Sequence, residues 1–366
     1  AFARGRFTKI PSAIGSRGTG HWHEIQSAAL MLTLDQITHV HLEISSRCNA
    51  ACPLCPRNLS GYPYNNGYVE HDMTLAEAQT IFQPQFVRQL GRLLINGNFG
   101  DMVMNPDSVD IIEYMRNLNE NLDVIISTNG GARDRLFWTR LARTGAQVQF
   151  CIDGLEDTHS WYRQNTVYEQ VLRNAEIFIQ AGGHAVWKMI EFDHNLHQIR
   201  QAWALSEQLG FRSFRLIQGD RTQGPVFNQR GELVRIMGVV PDHQLDLGKQ
   251  IQDLQQDMHM SKVMQYHETR PNIQCQSVKL GSIYVSSTGD VYPCCWTGFS
   301  PQTFGRGTYF QAVNGQFQHM IQRNNALQYS MATCIEWFDH IAQTWNQPSF
   351  EQGRLLVCNN NCGQKA

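Results

Sequence analysis

The chain of 366 residues lacks three things: an apolar run approaching eighteen residues, a basic block, and a positively charged, apolar leader. Without the first, no membrane-spanning helix is expected. Without the second, and with 30 Lys+Arg against 32 Asp+Glu, the electrostatic footprint of a nucleic-acid binder is missing. The third absence bears on the ten cysteines. With no secretory segment, they are better explained as reduced, metal-binding thiols of a cytosolic protein than as disulfides. Apolar residues are abundant, at 42% of the chain, enough for one large domain with a small one beside it.

Three cysteines fall on one short loop. Cys48-Asn49-Ala50-Ala51-Cys52-Pro53-Leu54-Cys55 follows an alternating, strand-like segment, His39-Val40-His41-Leu42-Glu43-Ile44-Ser45. A four-iron cluster needs four ligands, so three thiolates leave one iron open to a substrate or cofactor. A zinc knuckle would use paired Cys-x2-Cys units and a fourth ligand, and none follows at that spacing. A disulfide framework is the other plain alternative. The Cys-x3-Cys-x2-Cys spacing after a first strand resembles the signature loop of the radical S-adenosylmethionine superfamily. The resemblance implies a 4Fe–4S cluster on Cys48, Cys52 and Cys55, with S-adenosylmethionine chelating the open iron. Reductive cleavage of the sulfonium to a 5′-deoxyadenosyl radical would follow.

Strand-like and helix-like segments then alternate to about residue 219, the order of βα units with parallel strands. Thr74-Leu75-Ala76-Glu77 has the form of a capping box and opens a helix whose apolar residues continue through Ile81, Phe82, Phe86, Val87 and Leu90. Asn105-Pro106 supplies an N-cap and a first-turn proline for the next helix. Strands are expected at 92–96, 123–126, 147–152, 185–192 and 214–217, with helices near 136–141, 168–179 and 199–209. With the first strand these make six. That number matches the partial (β/α)6, TIM-like α/β barrel of the resembled superfamily, whose active sites lie at the carboxyl ends of the strands.

Loops at those ends carry the candidate cofactor residues. Gly97-Asn98-Phe99-Gly100-Asp101 follows the second strand, and its glycines allow close backbone approach to a ligand. The superfamily usually has Gly-Gly-Glu or Gly-Glu-Pro here to receive the methionine ammonium; this chain has Asp101 for the glutamate and Met102 for the proline. Ser127-Thr128-Asn129-Gly130 ends the third strand and resembles the segment that meets the ribose, where hydroxyls and an amide suit the ribose hydroxyls. A simple turn is the alternative for both loops. By the same resemblance, Asp153 of Cys151-Ile152-Asp153-Gly154 lies near ribose or substrate and Arg163 near the cofactor carboxylate, a pairing suited to a guanidinium. Solvation is the alternative for Arg163, and core packing is the expectation for Cys151. On the fifth strand Lys188 and Glu191 face opposite ways, so only one enters the barrel.

The C-terminal third has a second cysteine set. Cys275 precedes a hairpin-like pair, 282–286 and 290–293, joined through Thr288-Gly289 and ending at Cys294 and Cys295; Cys358-Asn359-Asn360-Asn361-Cys362 follows much later. This arrangement resembles the SPASM/Twitch extension of the superfamily. The resemblance implies a single auxiliary 4Fe–4S cluster on Cys275, Cys294, Cys358 and Cys362, with zinc as the alternative. Cys295 is expected to face away from that cluster. Cys334 lies among Met331, Ile335, Trp337, Phe338 and Ile341 at helical spacing, and reads as buried packing or as a catalytic hydrogen-atom donor.

The expected organisation is an N-terminal extension (1–35), a barrel (36–220), a bridging helical segment carrying Ile251, Leu254, Met258 and Met264 (221–272), and a Twitch/SPASM-like domain (273–366). The resemblance implies a cytoplasmic oxidoreductase with two 4Fe–4S clusters and S-adenosylmethionine. It would act on a small polar molecule or peptide, with flavodoxin or ferredoxin as electron donor. An epimerase using a cysteine thiol, and a non-enzymatic iron–sulfur carrier, are the alternatives.

Overall fold

The computed structural model describes residues 31–364 without 56, 60–61, 64–68, 219–223, 229, 231, 238–271, 300–317 and 351. Residues 1–30 of the expected extension, and Ile251, Leu254, Met258 and Met264 of the expected bridge, lie outside the described residues. Six parallel strands form: β1 (His39–Leu42), β4 (Arg92–Ile95), β5 (Asp123–Thr128), β6 (Gln147–Cys151), β7 (His184–Glu191) and β8 (Ser213–Gln218). They are neighbours in that order. Two antiparallel pairs lie outside this sheet, β2 (Asn58–Leu59) with β3 (Tyr62–Pro63) and β9 (Gly224–Phe227) with β10 (Leu233–Met237). No helix among the described residues is long and apolar enough to cross a membrane.

Alternate residues of a strand share a face, and Leu93 with Ile95, Val124 with Ile126, and Val148 with Phe150 are accordingly buried together in the core. Helices α3 (Ser108–Leu118), α4 (Arg135–Arg143), α5 (Tyr168–Gln180) and α6 (Ile199–Gln208) alternate with the strands. Trp138 of α4 sits 5.2 Å from Phe150 and 6.5 Å from Phe178 between ring centroids. Each fully buried side chain of this size contributes about 1.5–3 kcal/mol.

Three local expectations change. The helix opened by the Thr74 and Glu77 capping box ends at Ile81, and a second begins at Pro84, giving α1 (Leu75–Ile81) and α2 (Pro84–Gln89). Pro84 has no N–H to continue the first helix but suits the first position of another. Asn105 lies ahead of α3, whose N-cap position is Asp107, and its Oδ1 accepts the Asp107 N–H at 2.8 Å. Its buried amide donates to the carbonyls of Ile44 at 2.6 Å and Met73 at 2.8 Å, tying β1's exit to the start of α1. The 331–341 segment also divides, into helices Met331–Ile335 and Phe338–Gln343.

The C-terminal hairpin belongs to the barrel's own sheet. Strand β11 (Ser282–Val285) pairs in parallel with β1, His41 opposite Tyr284, and antiparallel with β12 (Val291–Tyr292). Gly289 forms the connecting turn at φ +84°, a conformation that favours glycine. The sheet therefore runs β12-β11-β1-β4-β5-β6-β7-β8.

Candidate active site

A cavity of about 400 Å³ opens at the carboxyl ends of the strands and is lined by Cys48, Cys52 and Cys55 together with Gly100, Asp101, Ser127, Thr128, Asn129 and Arg163. The cysteine loop is folded by its own backbone, Cys55 N–H donating to the Cys52 carbonyl at 3.1 Å, and anchored by Ala51 N–H to the Gln164 carbonyl at 2.9 Å. Two donors face its thiols. Arg163 Nη1 is 3.7 Å from Cys52 Sγ, and Asn129 Nδ2 is 3.7 Å from Cys48 Sγ. Burial pushes the Cys52 thiol up to about 12 against the opposing pull of Arg163. Burial, then Asp101 and the two neighbouring thiols, pushes Cys48 up as well. Thiols crowded in this way ionise when a cationic centre binds them.

The described residues include all ten cysteines and contain no disulfide. Among them no three His, Cys, Asp or Glu side chains are grouped to hold a single metal ion. A cubane spreads its ligands more widely than one tetrahedral ion, so this donor set, three thiols on a concave wall with hydrogen-bond donors at their sulfurs, fits a four-iron cluster.

Asp101 locks the neighbouring loops together. One carboxylate oxygen accepts from Thr128 Oγ1 at 2.6 Å and Val103 N–H at 3.2 Å, and the other accepts from Asn129 N–H at 2.7 Å. Burial raises its pKa, while these hydrogen bonds pull it down. Asn129 also reaches the cysteine loop, Nδ2 donating to Asn49 Oδ1 at 3.0 Å. Lys188 is the fifth-strand residue that enters the cavity wall, its Nζ 3.4 Å from Ser127 Oγ, whereas Glu191 is not among the lining residues.

The second cysteine set also converges. Cys275, Cys294, Cys358 and Cys362 line one small cavity whose remaining wall includes Met31, Ile273, Pro293, Ile341, Trp345 and Val357. Cys358 and Cys362 project from one helix, Leu356–Cys362, and Cys294 follows β12. Cys275 holds its thiol proton by hydrogen bonding to Cys362, whose own thiol is correspondingly pulled down. Burial raises Cys294 and Cys358. Four buried or half-buried thiols around one apolar cavity fit a fully ligated cluster.

The fold recurs in solved structures. SuiB from Streptococcus suis superposes with a TM-score of 0.53 at 12% identity, covering 89% of this chain and 73% of that one. SuiB bound to its precursor peptide SuiA gives 0.54 at 11%, covering 89% and 72%. The structure of anSMEcpe with AdoMet and the Cp18Cys peptide gives 0.50 at 13%, covering 88% of each chain. The chain shares the fold of these structures. It spans 65–73% of the length of the three SuiB chains. No protein-family model and no curated protein matches the sequence.

Within this fold, one candidate residue, Asp153, stands elsewhere than expected, and Cys334 takes the packing alternative. Asp153 does not line the cavity. It is fully buried, one oxygen accepting from Arg163 Nε at 2.6 Å and the other from Ile190 N–H at 2.5 Å. It therefore orients Arg163 from behind and is not placed to touch ribose or substrate. Cys334 is fully buried in the main core and lines neither cavity. Its apolar neighbours at helical spacing claim it for packing. Cys151 is buried, as expected, and also reaches the cavity wall.

Cys295 faces away from the second cysteine set, as expected, and two further residues, Trp296 and Glu43, were not singled out from the sequence. Cys295 and Trp296 line the first cavity, while Cys294 beside them lines the second. Glu43, 1% exposed, sits directly behind the Gly97–Asp101 loop. A carboxylate at the exit of an apolar strand was the available signal for Glu43. Nothing local marks Trp296, because its place depends on β11 joining β1.

Proposed function

We propose that this chain is a radical S-adenosylmethionine enzyme of the SPASM/Twitch type. It would oxidise, or form a bond within, a peptide or small polar substrate. The reading is carried by one observation: the three-cysteine loop and all but one of the candidate cofactor residues meet around a single cavity at the carboxyl ends of a parallel barrel. When bound there, the cluster and S-adenosylmethionine supply a one-electron cleavage that yields a radical able to abstract hydrogen. Cys48, Cys52 and Cys55 would hold the cluster. Arg163, pinned by Asp153, would present a fixed positive charge to the cofactor carboxylate. Ser127 and Asn129 would offer polar groups to the ribose, and the backbone at Gly100, whose missing side chain lets the loop press onto Ser45, would meet the methionine end.

Cys275, Cys294, Cys358 and Cys362 would hold an auxiliary 4Fe–4S cluster with no open ligand position, suited to accepting an electron from a substrate radical. A peptide substrate is favoured because SuiB and anSMEcpe, which share the fold at TM-scores of 0.54 and 0.50, are solved with peptides bound. Thiol chemistry at both sites suits a reducing compartment such as the cytosol, with flavodoxin or ferredoxin as electron donor. Anaerobic reconstitution with iron and sulfide, reduction, and detection of 5′-deoxyadenosine from S-adenosylmethionine test the reading. Two clusters without any 5′-deoxyadenosine would leave an iron–sulfur carrier instead.

Radical epimerisation is the second reading, favoured by the thiols on the cavity wall beyond the three-cysteine loop, Cys151 and Cys295. It predicts solvent deuterium at a substrate carbon, lost in Cys295→Ala or Cys151→Ala.

A further inference from the structure

The Gly97–Asp101 loop is held from behind by a carboxylate that has no place in the cofactor reading above. One oxygen of Glu43 accepts the N–H groups of Phe99 at 2.7 Å and Gly100 at 2.9 Å. The other accepts the hydroxyl of Tyr284, which is fully buried on β11. Tyr284 is brought there by the parallel pairing of β11 with β1, in which Glu43 N–H donates to the Val285 carbonyl at 2.9 Å. Its ring packs edge-on against His41, centroids 5.1 Å apart.

Two further ties flank this one. His41 Nε2 donates to the Asn96 carbonyl at 2.6 Å, and Asn98 Nδ2 donates to the Cys295 carbonyl at 2.9 Å. The loop is also pressed onto β1's exit. A Cβ on Gly100 would lie 1.9 Å from the Ser45 carbonyl oxygen, and one on Gly97 would lie 2.8 Å from Glu43 Oε1. Among the described residues no Lys, Arg or His forms an ion pair with Glu43. A buried carboxylate without a cation is costly, and its compensation here is the set of donors from the loop and from Tyr284.

We propose that Glu43 is the positioning residue of the cofactor loop and that Tyr284 makes the loop's geometry depend on the C-terminal hairpin. The inference rests on reading 97–101 as a cofactor loop, and it goes beyond that reading by tying the cavity to the element that carries Cys294. Tyr284→Phe keeps the ring against His41 and removes only the hydroxyl, leaving one oxygen of Glu43 without its donor.

The test uses the full reconstituted chain. In Tyr284→Phe, amide hydrogen exchange at Phe99 and Gly100 should speed up about tenfold, the change expected for losing one hydrogen bond to a carboxylate. Exchange at Val148 and Phe150 of β6 should stay as it was. S-adenosylmethionine affinity, measured by equilibrium dialysis, should fall by a similar factor. Glu43→Gln, which keeps an acceptor for both N–H groups, should retain more protection than Glu43→Ala. Tyr114→Phe, which removes a comparable bond to the Phe82 carbonyl at 2.9 Å away from the cavity, is the control and should change neither readout. Unchanged exchange at Phe99 and Gly100 in Tyr284→Phe overturns the proposal, even if Glu43→Ala fails to fold. Cofactor affinity unchanged while exchange rises overturns its functional half. Wild-type protein that binds no S-adenosylmethionine overturns the cofactor reading instead.

Discussion

The two regions where cysteines gather differ in room and in what surrounds the sulfur. Beside Cys48, Cys52 and Cys55 there is a cavity of about 400 Å³, walled by amides, hydroxyls, Asp101, Lys188 and Arg163. Beside Cys275, Cys294, Cys358 and Cys362 the free space is about 20 Å³ and the wall is Met, Ile, Val and Trp. Three donors with open space imply a centre that binds something further. Four donors in a tight apolar site imply one that does not, as between catalytic and structural metal sites. Apolar walls also keep water from the closed site, a determinant of the potential of any cluster held there.

The largest effect should come from emptying the roomy site. Cys48, Cys52 and Cys55 all replaced by Ala should lower reconstituted iron from about eight to about four per chain and abolish 5′-deoxyadenosine formation, by iron analysis and mass spectrometry. Undiminished cofactor cleavage in that variant would erase the distinction between the two regions. Cys358→Ala should act on the other side: the second cluster and product are lost, while some cofactor cleavage remains. Its unfolding midpoint should be recorded as well, because cluster ligation also stabilises the fold.

Arg163 sharpens the comparison, since it has no counterpart in the closed site. Its guanidinium is 14% exposed and pairs with a fully buried Asp153. Arg163→Gln leaves that carboxylate uncompensated and should cost on the order of 3 kcal/mol in denaturant unfolding. Cofactor affinity should fall with it; a stable variant with normal binding would show that Arg163 serves neither purpose. Cys334→Ala should have the smallest effect. This thiol belongs to neither region, so its loss should cost about 1 kcal/mol of packing and leave 5′-deoxyadenosine and product unchanged. Loss of product in this stable variant would restore the thiol to the chemistry.

Much of this molecule is written locally. The alternation of strands and helices places β1 and β4 to β8 within a few residues of where apolar periodicity puts them, because most of these strands bury alternate apolar residues in the core. The cysteine spacing is equally local: three thiols within eight residues fall on one loop whatever the rest of the chain does. Proline chemistry at Pro84 was legible too, but the apolar run through Leu90 masked it, and only the folded backbone divides α1 from α2.

What the sequence could not reveal depends on contacts between distant segments. Nothing near Tyr284 says that β11 will pair with β1 more than two hundred residues earlier, since a strand's edge accepts any partner of suitable register. That single pairing places Tyr284 on Glu43 and Trp296 in the cavity wall. The role of Asp153 follows the same logic. Its sequence context marks a strand-end carboxylate, but only the return of Arg163 from the following loop makes it a buried anchor that never reaches the cavity. The sequence by itself determined which residues are candidates for the chemistry and which strands deliver them, because those depend on spacing and period. Tertiary structure decided which of them face the cavity and which hold the others still, because burial and hydrogen bonding are properties of packed neighbours rather than of order along the chain.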